Sequence, residues 1–139
     1  MNSLRFFHPI EVRYGDLDPQ GHVNNARYLT YCEQARIAYI RHLGLWTSGD
    51  FLEIGVILAD AHIAFKRPIL FGEAVRVGAG VTRLGNKSFE MRYVLENAAG
   101  DEVFAVAESV LVTFDYRTEQ TISIPAAWRA AIAAFDGLG

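Results

Sequence analysis

At 139 residues the chain has the length of one domain, since two average domains need roughly twice that. Its 13 Lys and Arg against 16 Asp and Glu leave a net charge of -3, which excludes an overall basic footprint for nucleic acid or an anionic membrane and makes any phosphate contact local. Apolar residues make up 51% and charged residues 21%, a mix that folds and that a small interior cannot wholly hide, so some apolar surface is expected to meet another subunit. Cys32 is the one cysteine and can make no internal disulfide, which fits a reducing compartment. Met1 to Pro9 lacks an apolar signal core, and no apolar run approaches the ~20 residues of a membrane helix. The expectation is one cytoplasmic domain over residues 1–139, with no membrane and no nucleic-acid partner.

In chain order, Ile10, Val12 and Tyr14 alternate with Glu11 and Arg13 as in a half-buried strand that stops at Gly15. Asp16 to His22 is rich in Asp, Pro and Gly and reads as a loop, after which Asn24 or Asn25 can cap a helix over Asn25 to Leu43. The apolar members of that helix lie on nearly every side, which predicts a helix surrounded by protein. Strands are expected near Ile54–Phe65, Ala74–Leu84, Ser88–Glu96 and Val103–Phe114, with Gly85-Asn86 as a two-residue hairpin signal. Pro125 suits a first helical turn, and Trp128, Ile132 and Phe135 share one face of a terminal helix. Grouped strands beside segregated helices indicate an α+β domain.

The run Tyr14-Gly15-Asp16-Leu17-Asp18-Pro19-Gln20-Gly21-His22-Val23-Asn24-Asn25-Ala26-Arg27-Tyr28-Leu29 resembles the signature of the hotdog-fold acyl-CoA thioesterases, the superfamily of the 4-hydroxybenzoyl-CoA and bacterial long-chain acyl-CoA thioesterases. Phe65 to Glu73 is similar to the usual exit of that superfamily's second strand, and the element order agrees along nearly the whole chain. The resemblance implies a curved antiparallel sheet of about five strands around a long central helix, with a short C-terminal helix. It also implies homodimers that pair sheets edge to edge, assemble into homotetramers and carry active sites at the dimer interface. Asp18 would be the catalytic carboxylate, and the backbone N–H of Asn25, at the helix start, the group that polarises the carbonyl. The substrate would be an aromatic or fatty acyl-CoA, with no separate cofactor and no metal. Its nucleotide end would lie near Lys87, Ser88 and Arg83, with Arg67 or Lys66 as further cations. In part of that stretch Gly85 and Asn86 stand where the superfamily's richest versions are basic.

The chemistry of thioester cleavage makes a matching demand. The leaving thiolate comes from a thiol of pKa near ~8.5, so one base and one oxyanion site can be enough. Free N–H groups at the helix start offer the oxyanion site, and Asp18 can activate water or attack directly. His22 can orient water, position substrate, share a proton with the carboxylate or simply pack over the helix start. Asp16 reads as a structural Asx turn, with a base role as its alternative, and Glu33 as the i,i+3 partner of Arg36, with a second carboxylate facing the site as its alternative. Asp60 and His62 share a strand face without an assigned role. Cys32 within the helix reads as a buried, inert thiol. The G-x-S-x-G elbow, the Walker loop and dense metal-ligand spacings do not occur. A hotdog-type hydratase or dehydratase using Asp18 and His22, and a noncatalytic acyl-CoA-binding module, are the alternative functions.

Overall fold

In the computed structural model, residues 3–53 and 55–139 are described. The strand expected at Ile10 to Tyr14 lies earlier: β1 is Phe6–Ile10, and Tyr14–Asp16 forms a 3₁₀ turn instead. The Asp16 carboxylate accepts the Arg13 N–H at 3.0 Å while the Asp16 N–H donates to the Arg13 carbonyl at 2.9 Å, which curls the chain out of extended geometry. Pro9 is tolerated in β1 because the strand sits at a sheet edge, paired only with β3, where a missing N–H is affordable.

The following elements are α1 (Asn25–His42), β2 (Val56–Phe65), β3 (Val75–Leu84), β4 (Ser88–Asn97), β5 (Val103–Asp115), β6 (Gln120–Thr121) and α2 (Ala126–Asp136). They fall where the sequence pattern puts them, except that Ile54, the first residue of one expected strand, lies outside the described residues and the short β6 is additional. All pairings are antiparallel, in the order β1-β3-β4-β5-β2, with β6 added to the end of β5. Extra residues in β2, β3 and β5 add local twist, so the sheet curls around α1. This is the α+β hotdog architecture: a curved antiparallel sheet around a central helix, with a short C-terminal helix.

Tyr28, Tyr31, Cys32, Ala35, Tyr39 and Ile40 form a buried stripe on α1 at the i, i+3, i+4, i+7 spacing. They meet a core that includes Val77 and Ala79 of β3, Phe89, Met91, Tyr93 and Leu95 of β4, and Ala105, Ala107 and Leu111 of β5. Each fully buried aliphatic side chain there contributes about 1.5–3 kcal/mol. The expectation that protein surrounds α1 fails within one chain. Leu29 is exposed, Ile37 and Ala38 are half-buried, and Glu33 and Gln34 face solvent, so a second apolar side of the helix stays open.

The β3–β4 connection also departs from the two-residue expectation. Three residues, Gly85 to Lys87, join the strands, and none has positive φ. The tip is shaped by what packs on it: the Asn86 carbonyl accepts the Ile124 N–H at 2.9 Å, and Arg129 donates to the Gly85 carbonyl. Glycine is required at position 85 for closeness, since a Cβ there would lie 2.9 Å from the Ser88 carbonyl oxygen.

Candidate functional site

The loop between the 3₁₀ turn and α1 is fixed at several points. The Asp16 carboxylate is buried and receives the Tyr31 hydroxyl at 2.8 Å, the Arg13 N–H and the Arg13 guanidinium, with Arg27 Nε at 3.8 Å. Burial pushes this carboxyl upward, but the hydrogen bonds from Arg13 and Tyr31 outweigh it and hold Asp16 below the ordinary aspartate value. Its backbone carbonyl accepts the Asn24 N–H at 2.8 Å, so Asp16 ties both ends of the loop together. Asp16 is therefore a structural anchor. The loop's far side is held where Val23 N–H donates to the Ile69 carbonyl at 2.8 Å and Ile69 N–H to the Tyr28 hydroxyl at 3.2 Å.

Asp18 heads a tight turn in which Gly21 N–H donates to the Asp18 carbonyl at 3.0 Å, with Pro19 second and Gly21 at φ +78°. Its Oδ1 accepts the N–H groups of Gln20 at 2.9 Å and His22 at 3.1 Å. Oδ2 takes no protein donor among the described residues. One oxygen thus locks the carboxylate's orientation and the other remains available.

Asn24 is the helix cap, its side-chain oxygen accepting the Ala26 N–H at 2.9 Å, and its carbonyl accepts the Arg27 N–H at 2.8 Å. The Asn25 N–H, first of the helix, has no protein acceptor among the described residues and stands at the positive end of the helix dipole. Asp18, His22 and Asn25 line one cavity of about 250 Å³, together with Tyr28, Phe65 and Arg67. The Tyr28 ring meets Phe65 edge-on at 4.9 Å between centroids, which forms an aromatic wall. Burial raises the Tyr28 hydroxyl above its ordinary pKa, keeping it neutral as the acceptor for Ile69. Sequence reasoning missed Tyr28 and Phe65, although Tyr28 lies one helical turn beyond Asn25 and so shares its face.

Arg67 reaches this cavity fully engaged. It forks onto Glu73 at 2.8 and 3.1 Å, contacts Glu102 at 2.6 Å and stacks 4.8 Å from the Phe104 ring centre. Glu73 is drawn below the ordinary glutamate value chiefly by that Arg67 hydrogen bond. Lys66 lines the same cavity and is exposed.

Arg83, Lys87 and Ser88 are not brought to this cavity within the chain. Register places Phe65 opposite Ala105 and Leu95, whereas Ser88 pairs with Val112 and, through it, with Ile57. Seven residues of β4 separate the two levels, roughly 23 Å at the rise of a strand. Arg83 pairs with Glu90 at 3.1 Å on that far hairpin. Glu33 meets Arg36 at 3.7 Å, as the i,i+3 spacing suggests. Cys32 is buried, its thiol pushed up to about 12 by desolvation. Among the described residues no three His, Cys, Asp or Glu gather as metal ligands, and no helix is long and apolar enough to cross a membrane.

The family model that matches the chain, over residues 12–132, is described as the thioesterase-like superfamily. A 1,4-dihydroxy-2-naphthoyl-CoA hydrolase of Thermosynechococcus vestitus is 30% identical over 116 residues, covering 82% of this chain and 79% of that protein. The long-chain acyl-CoA thioesterase FadM of Escherichia coli is 26% identical over 115 residues, covering 83% and 87%. Among solved structures, a thioesterase from Thermus thermophilus complexed with coenzyme A and Zn is 34% identical, with a TM-score of 0.84 over 99% of this chain and 98% of that one.

Proposed function

The chain belongs to the thioesterase-like superfamily, and from that premise we propose that it hydrolyses an acyl-CoA thioester to the free acid and CoA, with Asp18 as base or nucleophile. It is an enzyme of the thioesterase class acting on acyl-CoA thioesters, in keeping with its similarity to two such hydrolases and to a CoA-bound thioesterase structure. The observation that carries the mechanistic reading is the meeting, at one small cavity, of a carboxylate with one oxygen locked and one open and of the first free N–H of a helix.

In this reading the thioester carbonyl oxygen accepts the Asn25 N–H, and the helix dipole stabilises the oxyanion as it forms. Asp18 Oδ2 either takes a proton from an attacking water or attacks the carbonyl carbon itself. The tetrahedral intermediate then expels the thiolate without a strong acid, which leaves the free acid directly on the water route and, on the direct route, a mixed anhydride on Asp18 that a second step with water hydrolyses to the free acid. His22, four residues beyond Asp18 on the same cavity wall, positions the water or the substrate.

A second copy completes the site in this proposal. β2 is an edge strand with one side unpaired, and Ile57, Leu58 and Phe65 on it are 37%, 45% and 46% exposed. Pairing two such edges about a two-fold axis runs them antiparallel and sets the Ile57 end of one beside the Phe65 end of the other. That brings the hairpin of the second copy, with Arg83, Lys87 and Ser88, toward the Asp18 cavity to meet the nucleotide end of CoA.

The test is thiol release from aromatic, short-chain and long-chain acyl-CoAs by the wild type and by Asp18→Asn and Asp18→Ala, with folding checked by circular dichroism. The expected result is a fall of about 10²–10⁴-fold in the folded variants. Unchanged release in both variants removes Asp18 from the mechanism. A hydratase reading rests on Asp18 and His22 sharing the cavity, and would show as a change at the acyl C2–C3 bond with no free thiol.

A further inference from the structure

Arg36 is 7% exposed, lies on the buried side of α1, and its Nε has no hydrogen-bond partner. One terminal nitrogen donates to the Tyr93 hydroxyl at 3.2 Å, and that hydroxyl shares a 2.8 Å hydrogen bond with Ser109. The other terminal nitrogen is 3.7 Å from Glu33, which is mostly in solvent. A buried donor left unmade is costly, so a guanidinium held this deep with a free N–H calls for an acceptor.

The space around it shows where that acceptor arrives. Arg36, Glu33 and Leu58 line both a cavity of about 140 Å³ and a larger one of about 690 Å³. The smaller runs between Leu29 and Cys32 of α1 and Ala61 of β2, and the larger continues between Ile37 of α1 and Ile57 of β2. The Asp18 cavity lies between Asn25 and Phe65, one helical turn before Leu29 and four strand residues after Ala61. The three spaces therefore follow one another along the seam between α1 and β2, with Arg36 at the neck of the last two. From Asn25 to Glu33, over which the Arg36 head reaches back, the helix rises roughly 12 Å, and to the Arg36 backbone roughly 16 Å. A C–C bond of ~1.5 Å in a zigzag chain advances roughly 1.3 Å along the chain axis, so an extended acyl chain covers that span in about nine to twelve carbons.

We propose that this seam holds the acyl group and that Arg36 Nε donates to a neutral oxygen, a hydroxyl or carbonyl, carried on the acyl chain about nine to twelve carbons from the thioester. The inference rests on the thioesterase reading for its substrate, but not for its geometry. A neutral oxygen is favoured over a carboxylate because Glu33 beside Arg36 and Glu108 on the smaller cavity already offset the cations Arg36 and Arg41. Tyr93 and Ser109 hold the guanidinium in place from the sheet, and the walls on either side, Leu29, Ala61, Ile37 and Ile57, suit methylene groups.

The test compares decanoyl-CoA, 10-hydroxydecanoyl-CoA and decanedioyl-CoA with the wild type and Arg36→Met, and measures binding of the corresponding free acids by calorimetry. The expected wild type favours the hydroxylated over the plain ester by about tenfold or more in kcat/KM, and the hydroxylated acid binds more tightly by a similar factor. In Arg36→Met both ratios should fall to within about twofold of unity. Should Arg36→Met fail to fold, the wild-type ratios and those of Tyr93→Phe, in which the guanidinium loses its brace, decide the matter. Hydrolysis of all three esters without preference, or a preference that survives in folded Arg36→Met, overturns the inference and leaves the thioesterase reading intact. A preference for the dicarboxylate overturns the neutral-oxygen assignment, as does an Arg36→Met variant that weakens self-association while keeping the substrate ratio. Absence of turnover with an Arg36-dependent preference among the acids would uphold the inference and overturn the activity reading instead.

Discussion

Asp16 and Asp18 stand two positions apart and are built in opposite ways. Asp16 is sealed among Arg13, Tyr31 and Arg27, whereas Asp18 uses Oδ1 to fix its own turn and leaves Oδ2 open. Substituting Asp16 therefore tests architecture before chemistry. Asp16→Ala leaves the buried Tyr31 hydroxyl and the Arg13 N–H without their acceptor, and thermal or urea unfolding should show a loss of about 2–4 kcal/mol. The sign of the pH dependence follows from the lowered pKa. The ionised Asp16 contributes stability that is fully present above the ordinary aspartate value of 3.8 and is lost as pH falls through its lower folded value. The stability gap between wild type and Asp16→Asn should be widest near neutral pH and close as pH drops below about 4. A gap that stays constant down to pH ~2 would mean that the carboxylate's charge plays no part.

The elements were legible where one periodicity dominated. β4 alternates cleanly in Phe89, Met91, Tyr93 and Leu95, and all four are buried. α2 shows Trp128, Ile132 and Phe135 on the side packed against the core. At β1 the alternation misleads, because Ile10, Val12 and Tyr14 keep a strand's period while the capture of the Arg13 N–H by Asp16 bends that stretch away from the sheet. α1 looked apolar all round because it carries two apolar sides, one on the sheet and one on the open seam along β2. The turn chemistry around Asp18 and the Asn24 cap could be read locally from Asp, Pro, Gly and Asn. Tyr28, Phe65 and the Arg36–Tyr93–Ser109 group could not, because each depends on segments joined only by the fold. The docking of α2 is a similar case: Asp136 is buried and accepts the Tyr39 hydroxyl and the Val81 N–H, linking the terminal helix to α1 and β3. Asp136→Ala should cost about 2–4 kcal/mol in unfolding experiments, because it strands two core donors at once. Asp136→Asn keeps one acceptor oxygen and should recover part of that loss; equal losses in both variants would place the stabilisation in the charge rather than in the hydrogen bonds.

At the scale of the molecule, the roughly 23 Å between the Asp18 end of the strands and the Arg83–Ser88 hairpin makes a shared site a matter of geometry. If each chain supplied its own nucleotide contacts, that span would have to be bridged along the sheet of a single copy. If two copies pair through β2, the carboxylate of one faces the hairpin of the other, and lesions in the two places must complement. Asp18→Ala and an Arg83→Glu/Lys87→Glu double variant should each be poor catalysts alone. Co-refolded in equal amounts, half the dimers are mixed, and each of these holds one site with both an intact Asp18 and an intact hairpin. Thiol release should then rise to about a quarter of the wild-type rate. Sedimentation of the wild type should give at least twice the 15.5 kDa of one chain, with specific activity falling on dilution at the concentration where the mass drops to that of one chain. A mixture that stays as slow as its parents, or a monomer that keeps full specific activity, would place the whole site within one chain and require another cation, such as Lys66 beside the Asp18 cavity, to meet the nucleotide.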